Sequence, residues 1–341
     1  MKKKLLNRRQ LWRIQKMQDD AASRSDRKQS LADDTLASGT LGPETRGLVI
    51  THFGQQLDIE ALEGEAKGQL FRCFQRSNLD PLVTGDEVIW QAGEPMGVVV
   101  AGLPRRSILK RPSKSGELKP VASNIDLIII VIASQPEPHF NLIDRYLVAA
   151  ELTGIKPLLL LNKADLLDAT NSSGLLDMLA LYKSIGYDTL LVSSKSHAGL
   201  TELINLLSDR TSVFVGQSGV GKSALVNALL PGIDTLEGAL SEAESKGRHT
   251  TTSARLFHFT KGGNLIDSPG IREFGLWHIE PGQLLDAFVE FRPFLGSCRF
   301  RDCQHENEPD CKLLAAVKEK IIDPRRLHSY QMIRNTLKEE F

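Results

Sequence analysis

Apolar and polar positions divide this chain into three successive patterns. From Arg46 to Lys110 the apolar residues fall in short clusters separated by turn-formers: Gly47–His52, Gln69–Phe74, Asp86–Trp90, Met96–Ala101 and Ser107–Lys110. Their β-branched and aromatic content favours strands, and a succession of short strands predicts a small closed barrel of the OB-like type. Phe71, Arg72, Phe74 and Arg76 lie either on a base-stacking face of that barrel or, for the two phenylalanines, in its core. Residues 103–122 carry proline and charge without periodicity and read as a linker, with Arg105, Arg106, Lys110 and Arg111 as phosphate contacts.

A different pattern begins near Asn124. Leu127–Ala133 is a continuous apolar run of the kind found in central parallel strands. Helical spacing over Asn141–Thr153 follows. Then come strand Pro157–Leu161, helix Leu175–Ile185, strand Thr189–Val192, helix Thr201–Leu207 and strand Val213–Val215. Such alternation predicts a doubly wound α/β sheet, which binds ligands beyond the carboxyl ends of its strands. The third pattern, from Lys312 to Glu340, is charged and helix-forming.

Composition changes this picture little. The chain has 341 residues, too many for one ordinary core, and is 41% hydrophobic and 25% charged. No apolar run reaches the roughly 20 residues of a membrane span, and the basic N-terminus has no apolar core of a secretory signal, so a cytoplasmic, non-membrane protein is expected. Net charge is zero. Residues 1–28 nevertheless carry ten basic side chains against three acidic ones, a net +7 suited either to a polyanion or to a solvated tail.

The chemistry lies in strings that sit at strand ends. Gly216-Gln217-Ser218-Gly219-Val220-Gly221-Lys222-Ser223, followed by Ala224, stands between a strand and a helix, the setting a G-x-x-x-x-G-K-[ST] phosphate loop requires. Its backbone N–H groups cradle phosphates, Lys222 pairs with the β- and γ-phosphates, and Ser223 serves Mg²⁺. Asn162-Lys163-Ala164-Asp165 follows a strand end. A carboxylate there accepts from guanine N1–H and the 2-amino group, whereas adenine leaves it unpaired, so GTP is favoured over ATP. Ser193-Ser194-Lys195 follows the next strand end and faces the guanine O6.

Beyond the phosphate loop, Asn264–Gly270 reads as a strand ending in D-x-x-G, with Asp267 on Mg²⁺ through water and the Gly270 N–H on the γ-phosphate. Between them lies Gly247–Ser253, a hydroxyl-rich loop placed to close over the metal, with Thr251 as Mg²⁺ ligand ahead of Thr250. This order is permuted, because ordinary GTPases put the phosphate loop first. Ile271 stands where a water-orienting glutamine is usual, so hydrolysis requires another group, such as His249, or a partner. Near the C-terminus, Cys298-x₄-Cys303-x-His305-x₅-Cys311 suits a closed tetrahedral Zn²⁺ site, the alternative being free thiols beside a histidine. Cys73 stands apart, as a core residue.

Taken together, the permuted order, G-Q-S-G-V-G-K-S, G-x-H-T-T-T, D-S-P-G-I-R-E-F and the cysteine–histidine knuckle resemble the RsgA family of bacterial small-ribosomal-subunit biogenesis GTPases over residues 40–341, with no departure in the motifs. The resemblance implies a GTPase turning GTP into GDP and phosphate, stimulated by the small (30S) ribosomal subunit during late maturation and leaving after hydrolysis. It also implies one zinc ion, 16S rRNA contacts through the barrel and zinc domain, and a monomer. The expected organisation is a basic extension (1–45), an OB-like barrel (46–112), a circularly permuted α/β GTPase domain (113–280) and a helical zinc-binding domain (281–341). Two other readings remain at this stage: a nucleic-acid-binding scaffold with a degenerate nucleotide pocket, and an ATPase.

Overall fold

The computed structural model describes residues 41–112, 117–167, 172–232, 254–267 and 281–339. They divide into two compact units, one reaching to Leu82 with Asp86–Pro104, the other Val83–Gly85 with everything from Arg105 onward.

The first unit is a five-stranded barrel of β1 (Glu44–Phe53), β2 (Gln56–Ala61), β3 (Leu70–Gln75), β4 (Glu87–Gln91) and β5 (Gly97–Gly102). Antiparallel pairs β1–β2, β2–β3, β4–β5 and β1–β4, with the parallel pair β3–β5, close the ring, as an OB-like barrel requires. Alternate residues point inward, so Val49, Leu57, Ile59, Cys73, Val88, Trp90 and Val99 fill the core. Gly47 is needed where β1 crosses this core: a Cβ there would stand 2.4 Å from Ile59 Cγ2 and 2.6 Å from Trp90 Cδ1.

Two sequence expectations are corrected here. Strand β2 went unread, although Leu57, Ile59 and Ala61 alternate with polar residues; its apolar content is low and its turn short. Conversely, Ser107–Lys110 is no barrel strand, and 103–122 is no unstructured linker. Strand β6 (Ile108–Pro112) pairs antiparallel with β7 (Leu118–Ser123), in a two-stranded sheet belonging to the second unit. Prolines 112 and 120 are tolerated because a two-stranded ribbon leaves each strand an edge with no donor to supply.

The second unit is built on a six-stranded sheet in the order β10-β9-β8-β11-β13-β12. Strands β8 (Leu127–Ala133), β9 (Lys156–Asn162), β10 (Asp188–Leu191), β11 (Thr211–Val215) and β13 (Asn264–Asp267) are parallel, and β12 (Arg255–His258) runs against β13 at the edge. All seven residues of β8 are buried, each large one contributing about 1.5–3 kcal/mol. Helices α3 (Leu200–Leu207) and α4 (Lys222–Leu229) cover one face through Leu203, Leu207, Leu225 and Leu229. Helices α1 (Phe140–Thr153) and α2 (Ser172–Ile185) complete the crossovers. Chain order runs outward through β8, β9 and β10, then returns so that β11 lies beside β8. The loops after β8 and β11 therefore flank the point where strand order reverses, and this is where α/β sheets bind ligands.

The chain ends in α5 (Pro281–Ala287), a 3₁₀ turn (Val289–Phe294), α6 (Lys312–Lys318) and α7 (Pro324–Glu339). Phe288 and Phe291 stack at 4.9 Å, and Tyr330 meets both edge-on. Helix α1 is buried along Ile143–Ala150 except at the half-buried Arg145, because the sheet covers one side and α5 with α7 the other.

Candidate nucleotide and metal sites

The phosphate loop leaves the carboxyl end of β11 through three glycines whose conformations exclude other residues. Gly216, Gly219 and Gly221 have φ of 137°, 84° and 93°. A Cβ on Gly216 would stand 2.2 Å from the Val131 carbonyl, and one on Gly221 2.4 Å from Asn162 Nδ2. Gly221 precedes α4 and offers no side-chain cap, so the N–H groups of the first turn face the loop's concavity, ready for an anion. Lys222 Nζ donates to the carbonyls of Gly216 (2.6 Å) and Gln217 (2.7 Å), holding its charge over the same concavity. Val220 is buried and anchors the loop, whereas Ser218, Gly219, Ser223 and Ala224 are exposed.

Asn162 ends β9, is 1% exposed, and donates through Nδ2 to the Val220 carbonyl at 2.9 Å. Its Oδ1 accepts from the Ser194 N–H at 3.4 Å, joining three loops through one carboxamide. Lys163 adopts a left-handed backbone (φ 60°), and its Nζ donates to the carbonyls of Gln135 and Gly219, both at 2.8 Å. Ala164 is held by its N–H to the Val192 carbonyl at 3.1 Å. Asp165 is exposed, with Oδ1 accepting from Ser193 Oγ at 2.5 Å; Ser193 is itself fully buried and takes the Ser196 N–H at 3.0 Å. Lys195 is exposed. The structure thus brings 162–165, 193–195 and 216–224 to one edge of the sheet.

Asp267 is the last residue of β13, next to β11 and half-buried at that same edge. His249, Thr250, Thr251, Gly270 and Ile271 lie outside the described residues.

Among the described residues a second cluster of metal-ligating groups stands near the C-terminus. The donor atoms of Cys298, Cys303, His305 and Cys311 all lie within 4.8 Å of one another. Around a tetrahedral zinc ion such donors stand about 3.5–3.8 Å apart. The observed separations are 3.9 Å for Cys298–Cys311, 3.7 Å for Cys298 Sγ to His305 Nδ1 and 3.3 Å for His305 Nδ1 to Cys311 Sγ. Desolvation lowers the pKa of His305 and, with the neighbouring thiols, pushes Cys303 up to about 12. A cation supplies the charge that lets such thiols ionise, so the donor set fits zinc. Glu308 shapes the intervening loop. Although desolvation opposes its charge, the N–H groups of Gln304, Glu306 and Asn307 at 2.7–3.1 Å hold its pKa at about 2.

The other predicted contact residues divide. Phe74 is buried in the barrel and Phe71 meets Trp90 in a tilted ring contact at 4.8 Å, so both serve the core. Arg72 is paired twice with Asp58 and lies 5.0 Å from the Phe53 ring. Arg106 is tied to Asp126 and Asn124. Sequence reasoning missed Gln135, which only the fold brings beside Lys163.

Comparison with known proteins matches this geometry. The family model described as RsgA GTPase covers residues 102–277. Proteins named small ribosomal subunit biogenesis GTPase RsgA are 58% identical in Azotobacter vinelandii (99% of either chain) and 57% identical in Pseudomonas fluorescens (98% of this chain, 97% of the other). Among solved structures, YjeQ from Thermotoga maritima superposes with a TM-score of 0.70 at 29% identity, over 86% of this chain and 99% of its own. YloQ, described as a circularly permuted GTPase, gives 0.70 at 30% identity, over 88% and 96%. A phosphate loop on the fourth strand in chain order, at the centre of the sheet, and relatives of this identity over whole chains lead to one conclusion: the protein is a GTPase belonging to the RsgA family.

Proposed function

We propose that this chain hydrolyses GTP during late maturation of the small (30S) ribosomal subunit, binds 16S rRNA, is stimulated by the subunit and leaves it after hydrolysis. The observation that carries the reading is the convergence of Asn162, Asp165, Ser193 and the Gly216–Ala224 loop at one sheet edge, together with whole-chain relatives named for that role. It acts as a cytoplasmic monomer, with the barrel and zinc-binding module as its RNA-contacting arms.

In this reading the N–H groups of 217–224 and the Lys222 ammonium bind the phosphates, Lys222 giving up its loop carbonyls for phosphate oxygens. Asp165 accepts from the guanine edge, with Ser193 aligning its carboxylate. Lys163 lies along the base, and Ser194 and Lys195 offer N–H groups to O6. Asn162 holds the base and keeps base loop and phosphate loop in register. Ser223 and Thr251 would hold Mg²⁺, with Asp267 acting through water and the Gly270 N–H on the γ-phosphate. Bound there, the ion neutralises charge developing on the transferred phosphoryl group. His249 orients the attacking water in place of the residue that Ile271 does not supply. Cys298, Cys303, His305 and Cys311 would hold one Zn²⁺, which organises the knuckle and does no chemistry.

Phosphate release from purified protein with GTP or ATP, with and without small subunits, tests the whole reading. Subunits should raise turnover, Lys222→Ala and Ser223→Ala should abolish it, and Asp165→Asn should erode the preference for GTP. Wild-type turnover in both phosphate-loop variants overturns the site. Turnover indifferent to subunits overturns the ribosomal role and leaves the GTPase.

A further inference from the structure

Helix α7 touches two parts of the second unit, helix α1 and the cysteine–histidine knuckle. Towards α1, Arg326 donates through Nη1 to Asp144, Arg145 Nη2 donates to Thr336 Oγ1 at 2.9 Å, and Asn141 Nδ2 reaches the Ser329 carbonyl at 3.5 Å. Towards the knuckle, Gln331 Nε2 donates to the carbonyl of the zinc-site residue His305 at 2.8 Å. Arg334 donates to the Gln304 carbonyl and to Glu306, so both neighbours of His305 are held as well.

The centre of this arrangement is Arg326, 1% exposed. Besides Asp144, its fork takes both oxygens of Glu290, at 2.6 and 3.1 Å. Its guanidinium lies 4.4 Å from the Phe288 ring centroid and 5.5 Å from that of Tyr182. Tyr182 in turn donates its hydroxyl to Asp144 at 2.6 Å. A planar fork with two carboxylates and two ring faces admits one arrangement, so it fixes the angle and register of α7 on α1 as an apolar contact would not. Asp144 lies in the N-terminal half of α1, which begins five residues after Gln135, whose carbonyl accepts from the Lys163 ammonium beside Gly219.

We propose that Arg326 is a positioning residue that locks α7 to α1, so that occupancy of the nucleotide site is transmitted through α1 and α7 to the zinc knuckle. This rests on the assignment of the nucleotide site above. The coupling elements are contiguous, and the ionic pin defines a docked arrangement of α7 whose population, relative to an undocked one, nucleotide biases.

Hydrogen–deuterium exchange on the full-length, zinc-loaded protein, with and without a non-hydrolysable GTP analogue, tests it. In the wild type the analogue should slow exchange at 216–224 and change it at least threefold at 298–311. Arg326→Gln should keep the first response and lose the second, with Arg326→Lys recovering part of it. If Arg326→Gln loses zinc or folded structure, Arg145→Ala with Thr336→Val cuts the same helix pair at its half-exposed end and should shrink the knuckle response. A knuckle response of wild-type size in these variants overturns the proposal. A wild-type response at 216–224 with none at 298–311 also overturns it. No response at 216–224 overturns the nucleotide-site assignment itself, and the coupling with it.

Discussion

Asn162 Nδ2 donates to the Val220 carbonyl at 2.9 Å, joining residues 58 positions apart in sequence. Asn162 closes strand β9 and Val220 is a buried residue of the glycine-rich loop, so one hydrogen bond joins the loop after β9 to the loop after β11. Both groups are out of water, which makes the bond expensive to lose.

Replacing Asn162 by Ala strands the Val220 carbonyl and the Ser194 N–H, at a cost of about 1–3 kcal/mol. Because Asn162 spans the two halves of the site, GDP affinity should fall about 10–100-fold, by titration calorimetry. Unchanged affinity would show that the loops hold register without it.

Gly221→Ala is a second test of the same junction. The residue has φ of 93°, and a Cβ there would meet Asn162 Nδ2 at 2.4 Å. Gly232 shares that backbone conformation (φ 92°) but has nothing within 4 Å. Both substitutions should lose about 1–2 kcal/mol of stability to left-handed strain, read from denaturant midpoints. Gly221→Ala alone should also abolish nucleotide binding.

Cys311→Ser should remove bound zinc, measured by metal analysis, because it deletes a buried ligand from the four-donor cluster. Strong chelation of the wild type should do the same, and both should raise proteolysis within 298–311. The barrel, a separate compact unit, should keep its unfolding midpoint.

Asp323 caps α7. Its Oδ1 accepts the Arg325 N–H at 2.8 Å, and Pro324 stands at the first helical position, where a missing N–H costs nothing. Hydrogen bonding from the Arg325 side chain is the main reason its pKa is lowered. A depressed carboxylate contributes stability that is fully present above the ordinary value of about 3.9 and disappears as pH falls through the lowered one. Asp323→Ala should therefore cost about 1 kcal/mol at neutral pH, by denaturant titration, and the difference from wild type should vanish in strong acid.

The parallel sheet, its helices and the loops at its strand ends were legible because each is written in short range. Leu127–Ala133 is apolar without interruption, and the glycines at 216, 219 and 221 stand where the turn needs positive φ. The C-terminal helix was legible only as a helix. Its apolar stripe of Leu327, Tyr330, Ile333 and Leu337 is interrupted by the buried polar residues Arg326, Ser329 and Arg334, which blurs the periodicity, and the two arginines are sustained there by ionic partners on distant elements. The hairpin β6–β7 was missed for a related reason. Proline and charge ordinarily mark a linker, and a two-stranded ribbon whose fully buried residues are Leu109, Ala122 and Ser123, only the first of them large and apolar, leaves little apolar signal.

What is written in the amino-acid sequence by itself is chemistry confined to a few consecutive residues: which loop has the glycines a phosphate cradle needs, which carboxylate we propose for the base, which cysteines and histidine suit zinc. Backbone conformation and side-chain type settle such properties within about one turn of chain. Tertiary structure alone decided which of these strings meet: Asn162 against Val220, Lys163 against Gln135, β3 beside β5 in the closed barrel, and Arg326 between Asp144 and Glu290. Those partners are far apart along the chain. Their pairing follows from how whole elements bury their faces, because a polar group taken out of water must find a partner wherever packing has placed one.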